Sequence, residues 1–454
     1  MNFKSLGQYI IEFTNLIWGL PLLVLLIGGG IFFFFYSELA PFRYFRHALQ
    51  ILLGKYDDPN DPGDINHYEA LSTALASTIG MGNISGVAIA IATGGPGAIF
   101  WMWISAFFGM ATKFFSCSLA VMYRKKDEDN ELQGGPMYVI TLGLGKNWKP
   151  LAIFFSLAGM IGVLPLFQVN QFTQAMRDIF LIPAGITNIN GINVIMGISL
   201  AAVSAVVIFG GIRRIGKVVG KLVPVMVIVY FTVVILILFI NPAEILPAFQ
   251  SIFRDAFTGE AVLGGALGQL IITGVRRGTF SNEAGIGTAP MAHSAAKTNE
   301  PVREGLVAMM GPAIDTLVVC TLTALALIIT GVWVNPETDG ITLTAIAFEK
   351  ALPGAGTYIL MVCVLFFALT TLFAFPYYGT KCFSFVFGVR YKKLYNYIYL
   401  IGIFVSAVTS LEVLISFVDG VYALMAIPTM ISTLLLAPRV RKEFKRYFKT
   451  LKSH

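Results

Sequence analysis

The chain has 454 residues, of which 56% are hydrophobic and only 13% are charged. Soluble domains carry about 25% charged residues, so this composition argues against a soluble protein and predicts an all-α protein that crosses the membrane many times. The formal net charge of +7 does not indicate nucleic-acid binding, because Lys and Arg cluster in short segments between apolar runs, as topology signals do. The whole chain, 1–454, is therefore predicted to form one membrane domain.

Apolar runs long enough to cross a hydrocarbon layer about 30 Å thick occur eleven times. The predicted spans are 15–36, 69–93, 97–123, 151–180, 191–211, 217–240, 261–297, 303–334, 356–387, 394–417 and 420–438. The seventh and ninth are long and interrupted. The four cysteines all fall within apolar runs without metal-ligand spacing, so we expect them to be packing residues.

Basic residues predict the orientation of these spans. Loops rich in Lys and Arg, such as 43–55, 124–126, 213–217 and 390–393, alternate with loops that are poor in them, such as 183–190 and 241–260. The predicted location is the cell (inner or plasma) membrane. The positive-inside rule then places the N-terminus outside and the C-terminus in the cytoplasm. The basic tail, 439–454, is expected to meet anionic lipid headgroups.

The second span contains "STIGMGNISG", Ser77 to Gly86, near its centre. Glycine costs about 1 kcal/mol per helix-interior position relative to Ala, and an unpaired backbone group in lipid costs several kcal/mol. A broken helix is therefore tolerated only inside protein or against a polar cavity, where its free backbone groups can contact a ligand. Glycines that serve close helix packing are the alternative explanation.

The seventh span contains a second such stretch, "TGVRRGTFSNEAGIG", Thr273 to Gly287. It lies five crossings after the first, so the two spans run in opposite directions. This spacing predicts two inverted five-helix repeats, 66–240 and 261–440, each starting with a broken helix and preceded by the extra N-terminal helix 15–36. Paired interrupted helices indicate a transporter with its binding site near the bilayer midplane.

Two blocks, "STIGMGNISGVAIAIATGGPGAIFWMW" and "GVRRGTFSNEAGIGTAPMAHSAAKT", resemble the alanine/glycine:cation symporters, also called sodium:alanine symporters. The resemblance covers nearly the whole chain. It implies the leucine-transporter fold and symport of a small neutral amino acid such as alanine or glycine, with Na⁺ as the coupling ion and no other cofactor.

The resemblance also implies site residues. "IGMGN" is similar to the break in the first core helix of neurotransmitter:sodium symporters, "GQLIIT" to the start of the second broken helix, and Gln168 matches a substrate-facing position. The implied substrate site comprises Thr78, Gly80, Met81, Gly82, Gln168, Thr273, Gly274, Thr371 and Phe375. The family is expected to carry Trp where this chain has Phe375, which favours a pocket for a substrate slightly larger than alanine.

Sodium sites are implied in the same way. The main site takes the carbonyls of Ala76 and Ile79 with the hydroxyls of Thr370 and Thr371, and a possible second site takes Thr78 and Asn83. Two carbonyls and two hydroxyls supply the oxygen ligands that sodium needs without adding a net charge.

Two charged residues are placed near mid-membrane by counting from the loops. Lys113 lies 11 residues before Arg124, about 16 Å, and Asp315 lies 12 residues after Arg303, about 18 Å. Our hypothesis is that Lys113 and Asp315 approach each other or share Glu283. The alternative is that each finds carbonyls or water separately.

Two adjacent arginines, Arg276 and Arg277, follow the start of the seventh span. We expect them to form an inner gate or an ion-pair network below the site. Direct binding of a substrate carboxylate is the alternative.

Other function classes fit less well. Proton coupling through Glu283 or Asp315 is the nearest rival to sodium coupling. A membrane enzyme is disfavoured because the sequence has no metal-ligand, nucleophile–base or phosphate-loop pattern at membrane depth. Paired broken helices fit alternating access better than a steady pore, and no soluble signalling domain suggests a receptor. The expected partners are therefore a small neutral amino acid, sodium and membrane lipid.

Overall fold

The computed structural model describes residues 3–186, 188–257, 266–334, 338, 340–409 and 411–452. Three parts of the predictions lie outside the described residues. They are residues 1–2 of the predicted domain, the start of the seventh span and of the second repeat at 261, and the end of the tail at 453–454.

The described part is built of helices with one small hairpin. The helices are α1 Phe3–Ile17, α2 Leu20–Leu23, α3 Gly29–Tyr36, α4 Ala40–Arg43, α5 Phe45–Leu52, α6 His67–Thr78, α7 Val87–Gly94, α8 Gly97–Met122, α9 Pro136–Tyr138, α10 Lys149–Gly162, α11 Leu166–Met176, α12 Ile189–Ile208, α13 Gly211–Ile240, α14 Pro242–Phe257, α15 Ala266–Asn282, α16 Thr288–His293, α17 Pro301–Ala308, α18 Met310–Pro312, α19 Thr321–Thr330, α20 Gly340–Ala351, α21 Gly356–Phe387, α22 Lys392–Val408 and α23 Leu411–Lys452. Wider π-helical turns cover Val24–Gly28, Gly82–Gly86, Val139–Leu144, Arg177–Leu181 and Ala313–Cys320, and 3₁₀ turns cover Lys146–Trp148 and Val389–Tyr391. Strands β1 Lys125–Lys126 and β2 Leu132–Gln133 pair antiparallel, with Lys125 opposite Gln133.

Several of these helices are long and apolar enough to cross a membrane. Within the described residues, seven continuous stretches meet this condition, and two bent pairs, 7–17 with 20–36 and 67–78 with 82–94, meet it together. The segments predicted as spans seven and ten are α15 and α22, of 17 residues each, which are shorter. The described residues thus account for up to nine of the eleven predicted spans, and the count of eleven remains a prediction.

The last two predicted spans have different boundaries in the structure. The first of them ends at Val408 rather than 417, and α23 runs without interruption from Leu411 to Lys452. Asp419, which the sequence assigned to a loop, therefore lies inside α23. Since the final turns of α23 bury Phe444, Tyr447 and Phe448, the basic tail is a docked helix rather than a free segment.

The site is positioned by close packing of α15 and α16 along α8. Small residues on α8 and α15 make this possible. A Cβ added at Gly109 would lie 2.8 Å from the Ala284 Cβ, and one at Gly278 would lie 3.1 Å from the Met102 Cα. Small residues at an interface let helix backbones approach closely inside a membrane. On the other side, α6 packs against α13 and α21.

Candidate functional site

The first break lies where the sequence predicts it. Helix α6 ends at Thr78, Ile79 is extended at φ −74° and ψ 90°, and the chain bends by 54° before the helix resumes. The Asn83 side chain holds the turn, because its Oδ1 accepts a hydrogen bond from the Gly80 backbone N–H at 3.0 Å. Both residues are buried, so this irregular backbone is enclosed by protein, as it must be at bilayer depth.

Glycine is required at position 80 for space. A Cβ there would lie 2.6 Å from the Thr371 Oγ1, so α21 presses a hydroxyl directly against the break. Thr370 makes different contacts: its hydroxyl lies 3.5 Å from the Met226 sulfur of α13 and 2.9 Å from the Phe366 carbonyl. The two hydroxyls that the sequence paired therefore have different surroundings.

The second break lies within the predicted stretch, Thr273 to Gly287, but near its end. Helix α15 is continuous through Thr273 and Gly274, and a Cβ at Gly274 would lie 2.5 Å from the Trp101 Cβ. The Thr273 methyl carbon would lie 3.6 Å from a Cβ at Gly94. These contacts show that both residues pack against neighbouring helices; that Thr273 and Gly274 line the pocket stays a prediction.

The chain instead breaks between Asn282 and Thr288. Glu283, Gly285 and Gly287 have φ values of 52°, 86° and 106°, in the left-handed region that disfavours L side chains. A glutamate held in such a conformation is the kind of local strain that clusters at functional sites.

Side chains hold this second break in place. The Glu283 carboxylate accepts hydrogen bonds from the Thr288 hydroxyl and, at 3.0 Å, from the Tyr422 hydroxyl. The Thr429 hydroxyl donates to the Ile286 carbonyl at 3.0 Å. Two residues of α23 thus fix the segment that joins α15 to α16.

A buried polar cluster joins the two broken helices. The Asp315 carboxylate accepts hydrogen bonds from the Asn83 amide at 2.6 Å and from the Ser281 and Thr316 hydroxyls at 2.7 Å each. The Thr323 hydroxyl donates to the Asn83 carbonyl at 2.7 Å. The cluster thus gathers a carboxylate and several neutral oxygens at one point, which is the donor chemistry that a small hard cation prefers.

Sequence analysis identified Asn83 and Asp315 but missed Ser281, Thr316 and Thr323. The polar run "TFSNE" immediately before the second break contained the signal for Ser281. Within the described residues, no group of three or more His, Cys, Asp or Glu side chains could hold a metal ion. A cation here would depend on amide, hydroxyl and carbonyl oxygens beside one carboxylate.

Lys113 does not form the predicted ion pair. It is 2% exposed and lies within electrostatic range of Glu283 and Asp315, but among the described residues no carboxylate oxygen lies within 4 Å of its ammonium group. Both carboxylates are already held by neutral donors. A direct Lys113–Asp315 pair is therefore a prediction that the structure corrects.

Arg276 and Arg277 form an ion-pair network, but on the other side of the break from the one expected. Both bind the buried carboxylate of Asp419, Arg276 at 2.7 Å, and Arg276 also donates to Asn15 at 3.1 Å. Both arginines lie on α15, before the break. Helix α16, which follows the break, leads to the Arg124 loop, the side that the sequence assigned to the cytoplasm. The inner-gate expectation is therefore corrected to a network on the opposite side.

An aromatic cluster surrounds the first break. A Cβ at Gly82 would lie 3.3 Å from the Phe280 ring, and that ring lies 5.2 Å from Phe167 and 5.5 Å from Tyr422, measured between centroids. Met81 is fully buried beside it. Phe280 was missed by the sequence analysis, since a Phe in an apolar run carries no signal of its own.

Gln168 and Phe375 are both buried in the same region of the fold as the breaks. Gln168 is 6% exposed, and its amide has no protein hydrogen-bond partner among the described residues, although the nearby Asn170 donates to the Thr409 carbonyl at 2.6 Å. Its amide atoms are not among the fully enclosed polar atoms without a partner, so they are open to a polar ligand. Phe375 is 1% exposed and lies one turn after Thr371 on α21.

The far ends of the two broken helices are joined to each other. Glu304 of α17 accepts hydrogen bonds from His67, the first residue of α6, and from His293, the last residue of α16, the latter at 2.5 Å. Arg124 donates to four backbone carbonyls, those of Pro62, Ser294, Ala296 and Thr298. A parallel bridge pairs Ile65 with Ala296. These contacts fasten the segment before α6 to the segment after α16.

The arrangement of helices matches that of a solved protein in complex with an amino acid. The crystal structure of MhsT in complex with L-phenylalanine superimposes with a TM-score of 0.63 over 83% of this chain and 89% of that one, at 12% identity. Residues 3–454 match the model of the sodium:alanine symporter family. The chain belongs to this family.

Relatives within the sodium:alanine symporter family are similar over nearly their full length. The sodium/alanine symporter AgcS of Methanococcus maripaludis is 41% identical over 98% of both chains. The probable sodium/glutamine symporter GlnT of Bacillus subtilis is 34% identical over 99% of this chain and 92% of its own. The chain is therefore a multi-pass membrane protein of a transporter family with a leucine-transporter-like fold, not a member of an enzyme family.

Proposed function

We propose that this chain is a sodium-coupled symporter of small neutral amino acids that works by alternating access. The observation that carries the proposal is the convergence of the two helix breaks on the Asp315 cluster, with the Thr371 hydroxyl against the first break. Broken helices at such a point offer N–H groups to a substrate carboxylate and carbonyls to a cation. One inward Na⁺ contributes about 2.3 kcal/mol per 100 mV of membrane potential to uphill transport.

The topology belongs to the same proposal. We infer eleven spans, with the N-terminus outside and the C-terminus in the cytoplasm, arranged as inverted repeats 66–240 and 261–440 after one extra helix. The position of α15 and α16, five predicted crossings after α6 and α7, supports this arrangement. A cysteine placed at an exposed residue of the 124–133 hairpin or of α14 would report sidedness by labelling in intact cells.

Sodium is proposed to bind at the first break. The carbonyls of Ala76 and Ile79 with the Thr371 hydroxyl form the main site. Thr370 is the less favoured fourth ligand, because its hydroxyl also contacts Met226 of α13. A second ion is proposed at Thr78 and Asn83, with Asp315 and Ser281 as further ligands. The contacts within the Asp315 cluster support that extension.

The amino acid is proposed to lie beside Met81, Gly82 and Phe280, with its polar groups reaching Gln168. The amide of Gln168 lacks a protein partner among the described residues, and the packing of Phe280 against Gly82 limits the side chain that fits. Relatives named for alanine and for glutamine make both amino acids candidates. Phe375 in place of Trp favours the larger one.

Uptake into proteoliposomes tests the proposal. Radiolabelled glycine, alanine and glutamine are each supplied with an inward sodium gradient, with the gradient replaced by potassium as the control. We expect uptake of at least one of them to rise about tenfold or more with sodium. Equal uptake in both salts would contradict sodium coupling.

Proton coupling is the second candidate, because Glu283 and Asp315 are both carboxylates held at membrane depth by neutral donors. An inward proton gradient in sodium-free medium separates the two. Uptake that follows the pH gradient alone would favour protons, and uptake that needs sodium at every pH would exclude them.

A further inference from the structure

A cavity opens at the end of the molecule where Arg124 lies. It has a volume of about 370 Å³ and lies between the start of α13, the lower half of α21, the start of α22 and strand β2. Its lining combines an apolar wall, which includes Ile212 and Ile215, with polar groups that include Thr380 and Asn396. This volume is ample for a free amino acid.

Lys381 of α21 lines this cavity. The residue is 4% exposed, and its ammonium group donates to the Leu132 carbonyl at 3.2 Å and to the Ser294 hydroxyl at 3.1 Å. The same ammonium group lies 4.9 Å from the centroid of the Tyr377 ring, which also lines the cavity. Among the described residues, no carboxylate oxygen lies within 4 Å of it. A buried cation of this kind favours an anionic group in the adjoining space.

The cavity and the proposed central site share helix α21, and Tyr378 lies between them along that helix. Lys381 follows Thr371 by ten residues of α21, about 15 Å along the helix. Between them, the fully buried Tyr378 donates from its hydroxyl toward the Thr73 carbonyl at 3.3 Å and the Ser77 hydroxyl at 3.2 Å of α6. Movement of α6 away from α21 would remove this barrier and connect the two spaces.

We propose that this cavity is a second amino-acid-binding site, which holds the substrate on its way between the central site and the cytoplasm. The proposal rests on the proposed function. The substrate carboxylate binds the Lys381 ammonium, and the apolar wall at Ile212 and Ile215 contacts a small side chain. Glu131 at the mouth, which also binds Lys392 at 3.2 Å, faces the substrate ammonium. Because Lys392 and Lys393 also line the cavity, an inorganic anion is the competing occupant, and competition by phosphate tests it.

The test measures substrate affinity separately on the two faces of the protein. The Lys381→Met variant and the wild type are reconstituted in proteoliposomes of known orientation. Half-saturation by labelled alanine or glutamine is then measured for zero-trans flux from each face. We expect the ratio of cytoplasmic to extracellular half-saturation concentrations to rise about tenfold in Lys381→Met, because a charge-assisted hydrogen bond is lost on one face only. Lys445→Met, an exposed lysine on α23 far from the cavity, is the matched control.

A second variant separates a binding role from a structural one. Ser294→Ala removes a hydrogen-bond partner of Lys381 but keeps the cation. If Lys381 binds substrate, the ratio in Ser294→Ala stays within about twofold of the wild type. If the Lys381–Ser294 bond serves only to tie α21 to the end of α16, both variants change the ratio alike, and the inference is overturned.

The remaining outcomes are also decisive. A wild type that shows no sodium-driven amino-acid flux overturns the proposed function and this inference with it. A wild type with normal flux and an unchanged ratio in Lys381→Met overturns the inference alone. Competition by phosphate as strong as by alanine on the cytoplasmic face also contradicts an amino-acid site.

Discussion

The two broken helices use glycine for different reasons. At the first break, Gly80 has no left-handed φ, and what a side chain would meet is the Thr371 hydroxyl at 2.6 Å. At the second, Gly285 and Gly287 have φ values of 86° and 106°, which glycine adopts without strain. Glycine is therefore needed at the first break because a side chain would meet a neighbouring helix, and at the second because the backbone is left-handed.

The side chains that hold the two breaks also differ. The first break is held mainly by Asn83, whose amide also reaches Asp315. The second is fixed by Glu283 and by two residues of α23. We therefore expect the first break to be the part that responds to an ion and the second to serve mainly as structural support. Four substitutions test that division.

The largest effect is expected for Gly80→Ala. The new Cβ would overlap the Thr371 oxygen, and overpacking of this kind costs about 1–3 kcal/mol, which at the ion site corresponds to a loss of transport of up to about 100-fold. Uptake per folded molecule in proteoliposomes measures it. Gly86→Ala is the control in the same segment, since a Cβ there meets nothing within 4 Å; equal losses in both variants would remove the spatial argument.

Gly287→Ala is expected to act on stability instead. A left-handed L residue costs about 1–2 kcal/mol, and the Cβ would also lie 2.6 Å from the Thr429 hydroxyl. We expect a lower melting temperature in detergent, with the sodium concentration for half-maximal uptake changed less than twofold. Gly268→Ala, with no neighbour within 4 Å, should be neutral. A large shift in sodium dependence would show that the second break also binds the ion.

Thr371→Ala should raise the sodium concentration for half-maximal uptake about fivefold, as expected for loss of one neutral hydrogen-bonding ligand. Thr370→Ala should change it less than twofold because its hydroxyl faces α13. Sodium titration of uptake compares the two. The opposite order would mean that the ion lies nearer to Met226 than we propose.

The smallest effect is expected for Tyr422→Phe. It removes one 3.0 Å hydrogen bond to Glu283 and leaves the ring packed on Phe280, so the protein should lose about 1 kcal/mol of stability. Thermal unfolding followed by a reporter dye measures this loss. A change in sodium dependence larger than that of Thr371→Ala would contradict the supporting role of the second break.

The sequence predicted a helical membrane protein and the first break well, because the glycine cluster in an apolar run is a local signal. It also located the second break within Thr273 to Gly287, but not its position near the end of that stretch, because the left-handed backbone of Glu283, Gly285 and Gly287 is not visible in a run of small and polar residues. The contact of Arg276 with Asp419 could not be predicted. The two residues are 143 positions apart, and the sequence assigned Asp419 to a loop, whereas its backbone lies inside α23. Lys113 and Asp315 lie within electrostatic range of each other, as their predicted depths indicate. The Asp315 carboxylate nevertheless accepts its hydrogen bonds from neutral amide and hydroxyl groups, and the sequence alone could not show that these donors replace the Lys113 ammonium.

The bonds of Arg124 and Glu304 have a consequence for how the path could open. Arg124 ties the segment before α6 to the segment after α16 through four carbonyls, and Glu304 ties the ends of the same two helices through two imidazoles. The two lower half-helices are therefore fastened into one rigid body. A swing of α6 alone would have to break both sets of bonds at once, whereas a joint swing would leave them intact and place the hinge at the two breaks themselves.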